Sequence, residues 1–222
     1  MSGDPGRTTV TFGASRMEGF LGQPERARGL VVFAHGAGSS RFSTRNRLVA
    51  DRLEAVGLAT LLFDLLSKDE AADRANVFDI GLLAGRMIEA LNWIETHDDL
   101  NTLPIGLFGA STGAAAALVA AARAPEKVAA VVSRGGRPDL AGPALGHVQC
   151  PSLLIVGGAD FQVLELNLSA LEMLVCEKRL EVVPGATHLF EEPGALEQAA
   201  ELAADWFTGH LKRHGQASGR VL

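Results

Sequence analysis

The chain has 222 residues, 47% of them hydrophobic and 21% charged, with a formal net charge of -6. That length suits one large α/β domain with a substantial core, the composition excludes wholesale disorder, and the acidic balance argues against a general nucleic-acid surface. Cys150 and Cys176 have neither CxxC spacing nor histidines placed to share a metal, so they read as buried thiols in a reducing compartment. Met1 to Arg7 carries no apolar segment of the signal-peptide kind, and the expected location is cytoplasmic.

Thr8 to Phe12 and Met17 to Leu21 read as short strands of a hairpin turning near Gly13-Ala14-Ser15. Leu30 to Ala34 is a continuous apolar run, as in a buried parallel strand, and it opens into the loop His35-Gly36-Ala37-Gly38. Leu48, Val49, Leu53 and Val56 then recur at helical spacing across 44–56, and a second buried strand, Leu58 to Phe63, ends at Asp64. Ser67 to Arg74 reads as a charged loop, and Leu82, Leu83, Met87, Leu91 and Ile94 form the apolar stripe of a helix from about Asp79 to Glu95. The uncharged stretch Leu100 to Ala122 is long enough to span a bilayer, but Pro104, Gly106, Gly109 and Gly113 divide it, so strand plus buried helix is expected instead. Further strands are expected at Val128 to Val132, Ser152 to Val156 and Arg179 to Val183, with helices at Leu164 to Val175 and Pro193 to Leu211. The alternation predicts a doubly wound, mostly parallel sheet with helices on both faces. One domain is expected over residues 1–222, with its core at about 27–211 and a frayed tail at 215–222.

Gly109-Ala110-Ser111-Thr112-Gly113 fits Gly-x-Ser-x-Gly, in which a serine sits on a strained strand-to-helix turn. The pattern alone is weak, since small residues are common. Its context strengthens it: the apolar run Ile105 to Phe108 precedes the pentapeptide, and the alanine-rich, helix-favouring Ala114 to Ala122 follows. A serine hydroxyl needs a base to take its proton, and the base needs an acid to fix its tautomer. Of the six histidines, His188 follows the last strand and is the best-placed base, whereas His35 is expected to brace the glycine loop. Asp160 follows the preceding strand and is the expected acid, with Asp64 and Asp139 as weaker alternatives. The order Ser111, Asp160, His188 is that of the α/β-hydrolases. Backbone N–H groups of Thr112 and Ala37 are the expected oxyanion donors.

These residues, with the His35 to Gly38 loop, resemble the serine α/β-hydrolases, and the short form of the chain is similar to the dienelactone hydrolase-like family. The resemblance runs over roughly Ala27 to Leu211 and is most specific at Gly109 to Ala117 and Val183 to Pro193. It implies hydrolysis of a small ester or lactone without metal or organic cofactor. Dienelactone hydrolases proper carry a cysteine nucleophile, and here Ser111 holds that place.

Two other classes compete with this reading. Gly36-Ala37-Gly38 after a strand suggests a dinucleotide-binding module, but Arg41 stands where the third fingerprint glycine belongs. A catalytically silent hydrolase fold that serves in binding is the other alternative. Only Ser133 to Pro151 separates two strands where lidded relatives carry a cap, so an open site is expected. Arg41, Arg134 and Arg137 are expected at its rim, where they would meet an anionic group on the substrate. No nucleic-acid or membrane partner is expected.

Overall fold

The computed structural model describes residues 6–212, so the frayed tail expected at 215–222 lies outside the described residues. Eight strands form one sheet in the order β1-β2-β4-β3-β5-β6-β7-β8. They are β1 (Thr8–Phe12), β2 (Met17–Gly22), β3 (Leu30–Ala34), β4 (Ala59–Phe63), β5 (Ile105–Ala110), β6 (Ala130–Arg134), β7 (Ser152–Gly157) and β8 (Lys178–Val183). The hairpin β1-β2 joins antiparallel to β4, and every pairing from β4 to β8 is parallel.

The five central strands, β3 to β7, are buried at every residue, which is why most of their length reads as apolar runs. Helices cover both faces. On one, α4 (Ile80–Glu95), α5 (Thr112–Arg123) and α6 (Phe161–Met173) pack over Val32, Leu61, Leu107, Val131 and Leu154. On the other, α1 (Thr44–Ala55) and α7 (Ala195–His210) pack over Val31, Phe33, Leu62, Phe108, Val132 and Ile155. Adjacent residues of β5 therefore serve opposite cores, Leu107 one and Phe108 the other, as the two-residue strand period requires.

Several expected boundaries move. The loop from Ser67 contains two five-residue helices, α2 (Lys68–Ala72) and α3 (Arg74–Phe78), started by a Ser67–Glu70 capping box and by the Asp73 side chain. Neither buries a residue, so neither leaves an apolar stripe in the sequence. β6 begins and ends two residues later than the apolar run suggested, because Ser133 and Arg134 keep the parallel register opposite Gly109 and Ala110. Both are buried strand residues rather than loop residues. The connection after β6 forms a kinked 3-10 segment, Pro138–His147, which turns Ala141 and Leu145 inward beside α5 and α6. The stretch 100–122 divides between β5 and α5, and no helix among the described residues is long and apolar enough to cross a membrane.

Candidate active site

Ser111 joins β5 to α5 with φ 51 and ψ -124, a backbone conformation that L residues rarely adopt. Its surroundings hold it there. The Ser111 N–H points to the Arg134 carbonyl at 3.4 Å, and the Ser111 carbonyl accepts from the Arg137 N–H at 3.0 Å. The loop after β3 closes in from the other side: a methyl group at Gly36 would stand 2.9 Å from the Ser111 Cβ, so that position must be glycine for the loop to reach the serine.

His188 and Asp160 come from the loops after β8 and β7. The Asp160 Oδ2 lies 2.8 Å from His188 Nδ1, and the acid is the more enclosed of the two, its side chain 14% exposed against 40% for the imidazole. A carboxylate accepts only, so Nδ1 carries the proton and Nε2 keeps its lone pair. Gly135, at φ 50 directly after β6, lets the histidine loop pass close: a Cβ there would meet the His188 carbonyl oxygen at 3.0 Å. Since β6 neighbours β5, Gly135 brings the His188 loop to the end of the strand beside the one that carries the serine. The loop is itself tied down by Glu192, whose carboxylate accepts from the Thr187 N–H at 3.0 Å and the Thr187 hydroxyl at 2.6 Å. These bonds hold the Glu192 carboxyl below its ordinary pKa, the hydroxyl's being the largest cause.

The two expected oxyanion donors are adjacent but not equivalent. The Ala37 N–H donates to Thr112 Oγ1 at 2.9 Å, so it is already engaged as the loop stands. The Thr112 side chain, buried at the start of α5, was not foreseen as its acceptor. His35 does brace the loop: its Nε2 accepts from the Leu65 N–H at 3.1 Å and its Nδ1–H donates to the Gly36 carbonyl at 3.0 Å. Both ring nitrogens are occupied, and burial lowers its pKa, which favours the neutral ring.

The three rim arginines part company. Arg41 is turned onto Asp64, which also takes its backbone N–H at 2.7 Å, and onto Glu18, with its guanidinium over Phe20 and Phe42. Arg137 makes a two-pronged pair with Asp139, both bonds 2.8 Å. As they stand, neither guanidinium is free for a substrate, and Asp64 and Asp139, the weaker acid alternatives, are taken by these pairs. Arg134, by contrast, is buried with no acid paired to it among the described residues. Cys150 is also buried, which pushes its thiol pKa up to about 12 and keeps it out of the thiolate form.

Fold and site together define an α/β-hydrolase. The dienelactone hydrolase family model matches residues 17–215, and the chain belongs to that family. A dienelactone hydrolase from Anabaena variabilis is 54% identical, with a TM-score of 0.89, 93% of this chain and 97% of that one being covered. Est1E of Butyrivibrio proteoclasticus shares the fold at 15% identity and a TM-score of 0.76, over 92% of this chain and 98% of that one. A Mycobacterium tuberculosis protein that carries a provisional phosphoribosyl transferase name is 61% identical over 202 residues, which are 91% of this chain and 46% of that protein. The chain thus spans about half the length of the curated relatives it matches.

Proposed function

We propose that the chain is a serine hydrolase that cleaves a small ester or lactone through an acyl-enzyme on Ser111. The observation that carries this reading is the Asp160–His188 bond of 2.8 Å, taken with a serine held at φ 51 on a strand-to-helix turn. His188 Nε2 takes the Ser111 proton as Oγ attacks the carbonyl carbon, and Asp160 stabilises the imidazolium that results. The same proton passes to the leaving oxygen, and a water activated by the imidazole then releases the acyl group. The Thr112 N–H at the start of α5 receives the developing oxyanion, and the Ala37 N–H exchanges Thr112 Oγ1 for the same oxygen as charge builds. Buried Cys150, with its raised pKa, offers no competing nucleophile. The transferase name of the Mycobacterium tuberculosis relatives belongs to proteins about twice this length, whereas the site residues here favour acyl chemistry.

The test is a fluorophosphonate probe together with a panel of chromogenic esters and lactones of increasing acyl length, on the wild type and Ser111→Ala in parallel. Covalent labelling of the wild type at Ser111, with turnover that disappears in the variant, is the expected result. A wild type that neither labels nor turns over any member would leave a binding module as the better reading.

A further inference from the structure

Arg86 and Arg134 are both buried, but the fold treats them differently. Arg86 is met by the carboxylates of Glu70 and Glu89 at 2.6 and 2.9 Å. Arg134 Nε and Nη1 are closed off from solvent and make no hydrogen bond among the described residues. Its guanidinium carbon lies 5.9 Å from the ring centres of Phe108 and Phe190, near the outer reach of a cation–π contact. The charge that acts on it is another cation, Arg45, and burial first, then Arg45, pushes its pKa down to about 10. It therefore remains protonated at neutral pH. A buried, unpaired charge is costly to keep, and an anion that arrives from outside the chain relieves that cost.

Phe190 and Arg45 both line a cleft of about 350 Å³ between the start of α1 and the segment 190–197, and Arg134, which does not itself line it, lies behind the Phe190 ring. Thr44, the first residue of α1, lines it too, so the positive end of a twelve-residue helix faces the same space. Glu191, Glu192 and Glu197 form the acidic part of the lining. Glu191 pairs with Arg45 at 3.3 Å and Glu192 is turned to Thr187, and Arg134 has no bond to any of them.

We propose that Arg134 and Arg45 form a receptor for one oxyanion group, a carboxylate or a phosphate, in the cleft between α1 and the segment that carries His188. Arginine's planar fork matches either group with paired hydrogen bonds. Entry requires the side chain of Arg134 or Phe190 to rotate, because Nε and Nη1 are sealed as they stand. Phe190 is two residues from His188 and sits at φ 56, so occupancy of the cleft bears on the catalytic loop. The anion has two sources: the acidic end of the substrate, which rests on the serine hydrolase reading above, or a free oxyanion, which does not.

Binding is measured first without chemistry. Inorganic phosphate is titrated into the Ser111→Ala protein by calorimetry at an ionic strength held constant with chloride, and then into the same protein carrying Arg134→Gln, Arg134→Lys or Arg26→Gln. The expected result is saturable binding, weakened by about tenfold or more in both Arg134 variants and unchanged for the exposed Arg26. Arg134→Lys keeps the charge and loses the fork, so it decides the matter should the glutamine variant not fold. No saturable binding, or equal affinity in the Arg134 variants, would overturn the proposal.

Matched neutral and carboxylate-bearing esters then identify the source. A carboxylate-to-neutral ratio of kcat/KM of about ten or more in the wild type, falling toward one in Arg134→Gln, assigns the cleft to the substrate. A ratio near one, with phosphate still bound, assigns it to a free oxyanion. Phosphate binding in a protein that hydrolyses neither ester would remove the hydrolase reading and leave the receptor standing. Ester turnover without phosphate binding would do the reverse.

Discussion

On the serine hydrolase reading, Asp160 acts only as an acceptor for the His188 ring. Replaced by asparagine, it would offer an amide N–H as readily as an oxygen, and the imidazole would settle with its proton on Nε2, the atom that must be bare. Asp160→Asn is therefore expected to lower kcat by up to about ten-thousand-fold with little change in thermal stability, as checked by ester kinetics beside a melt. Ser111→Ala and His188→Ala should each lose nearly all turnover, and the double variant should be hardly worse than either, because the residues act as a unit. Near wild-type kcat in His188→Ala would place the base elsewhere. Of the candidate site residues, the placements that follow from chain position were legible in the sequence: a serine on the strand-to-helix turn of a glycine pentapeptide, and an acid and a histidine after successive strands that meet in a hydrogen bond. What was not legible depends on side-chain rotamers across the sheet. Nothing in the sequence says that Thr112 Oγ1 captures the Ala37 N–H, or that Arg41 turns to Asp64 while Arg134 finds no acid.

The elements around the site are coupled through His35, which joins the end of β3 to the residue after Asp64. Burial is the main cause of its lowered pKa, opposed by its bond to Gly36 and by the charge of Asp64. The sign follows directly. A histidine harder to protonate when folded takes its proton first in the unfolded chain as pH falls, so the folded state loses stability below the unfolded value of about 6.5. His35→Asn lacks that titration. Its stability deficit relative to wild type, measured by denaturant at about pH 7.5 and about pH 5.5, should shrink at the lower pH. A constant deficit would mean that His35 does not titrate on unfolding. The same scale separates what patterning reveals from what it hides. Buried parallel strands announce themselves as apolar runs, as β3 and β7 do, but a strand can continue through polar residues that the parallel register carries inward, as Ser133 and Arg134 do in β6. Misplacing that boundary by two residues turns a buried arginine into an apparent rim residue.

Across the whole molecule, the short connection between β6 and β7 lies alongside α5 and α6, with Ala141 and Leu145 in the core on that face. Such a segment is committed to the core and is not free to act as a lid that waits for a lipid surface. Turnover of short-chain esters should rise smoothly with concentration, without a jump where long-chain esters form micelles, as followed by initial rates through that point. An abrupt increase would contradict it. The helix behind the serine carries a further consequence. Every residue from Thr112 to Ala121 is buried, whereas the histidine loop exposes Thr187, Leu189 and Glu191. Amide hydrogen exchange should therefore divide the site in two: α5 protons exchanging only when the whole domain unfolds, and those of residues 187–192 through small local openings that cost far less. The serine would then be as durable as the domain itself, while the base it needs visits and leaves its working position many times during the life of one folded molecule.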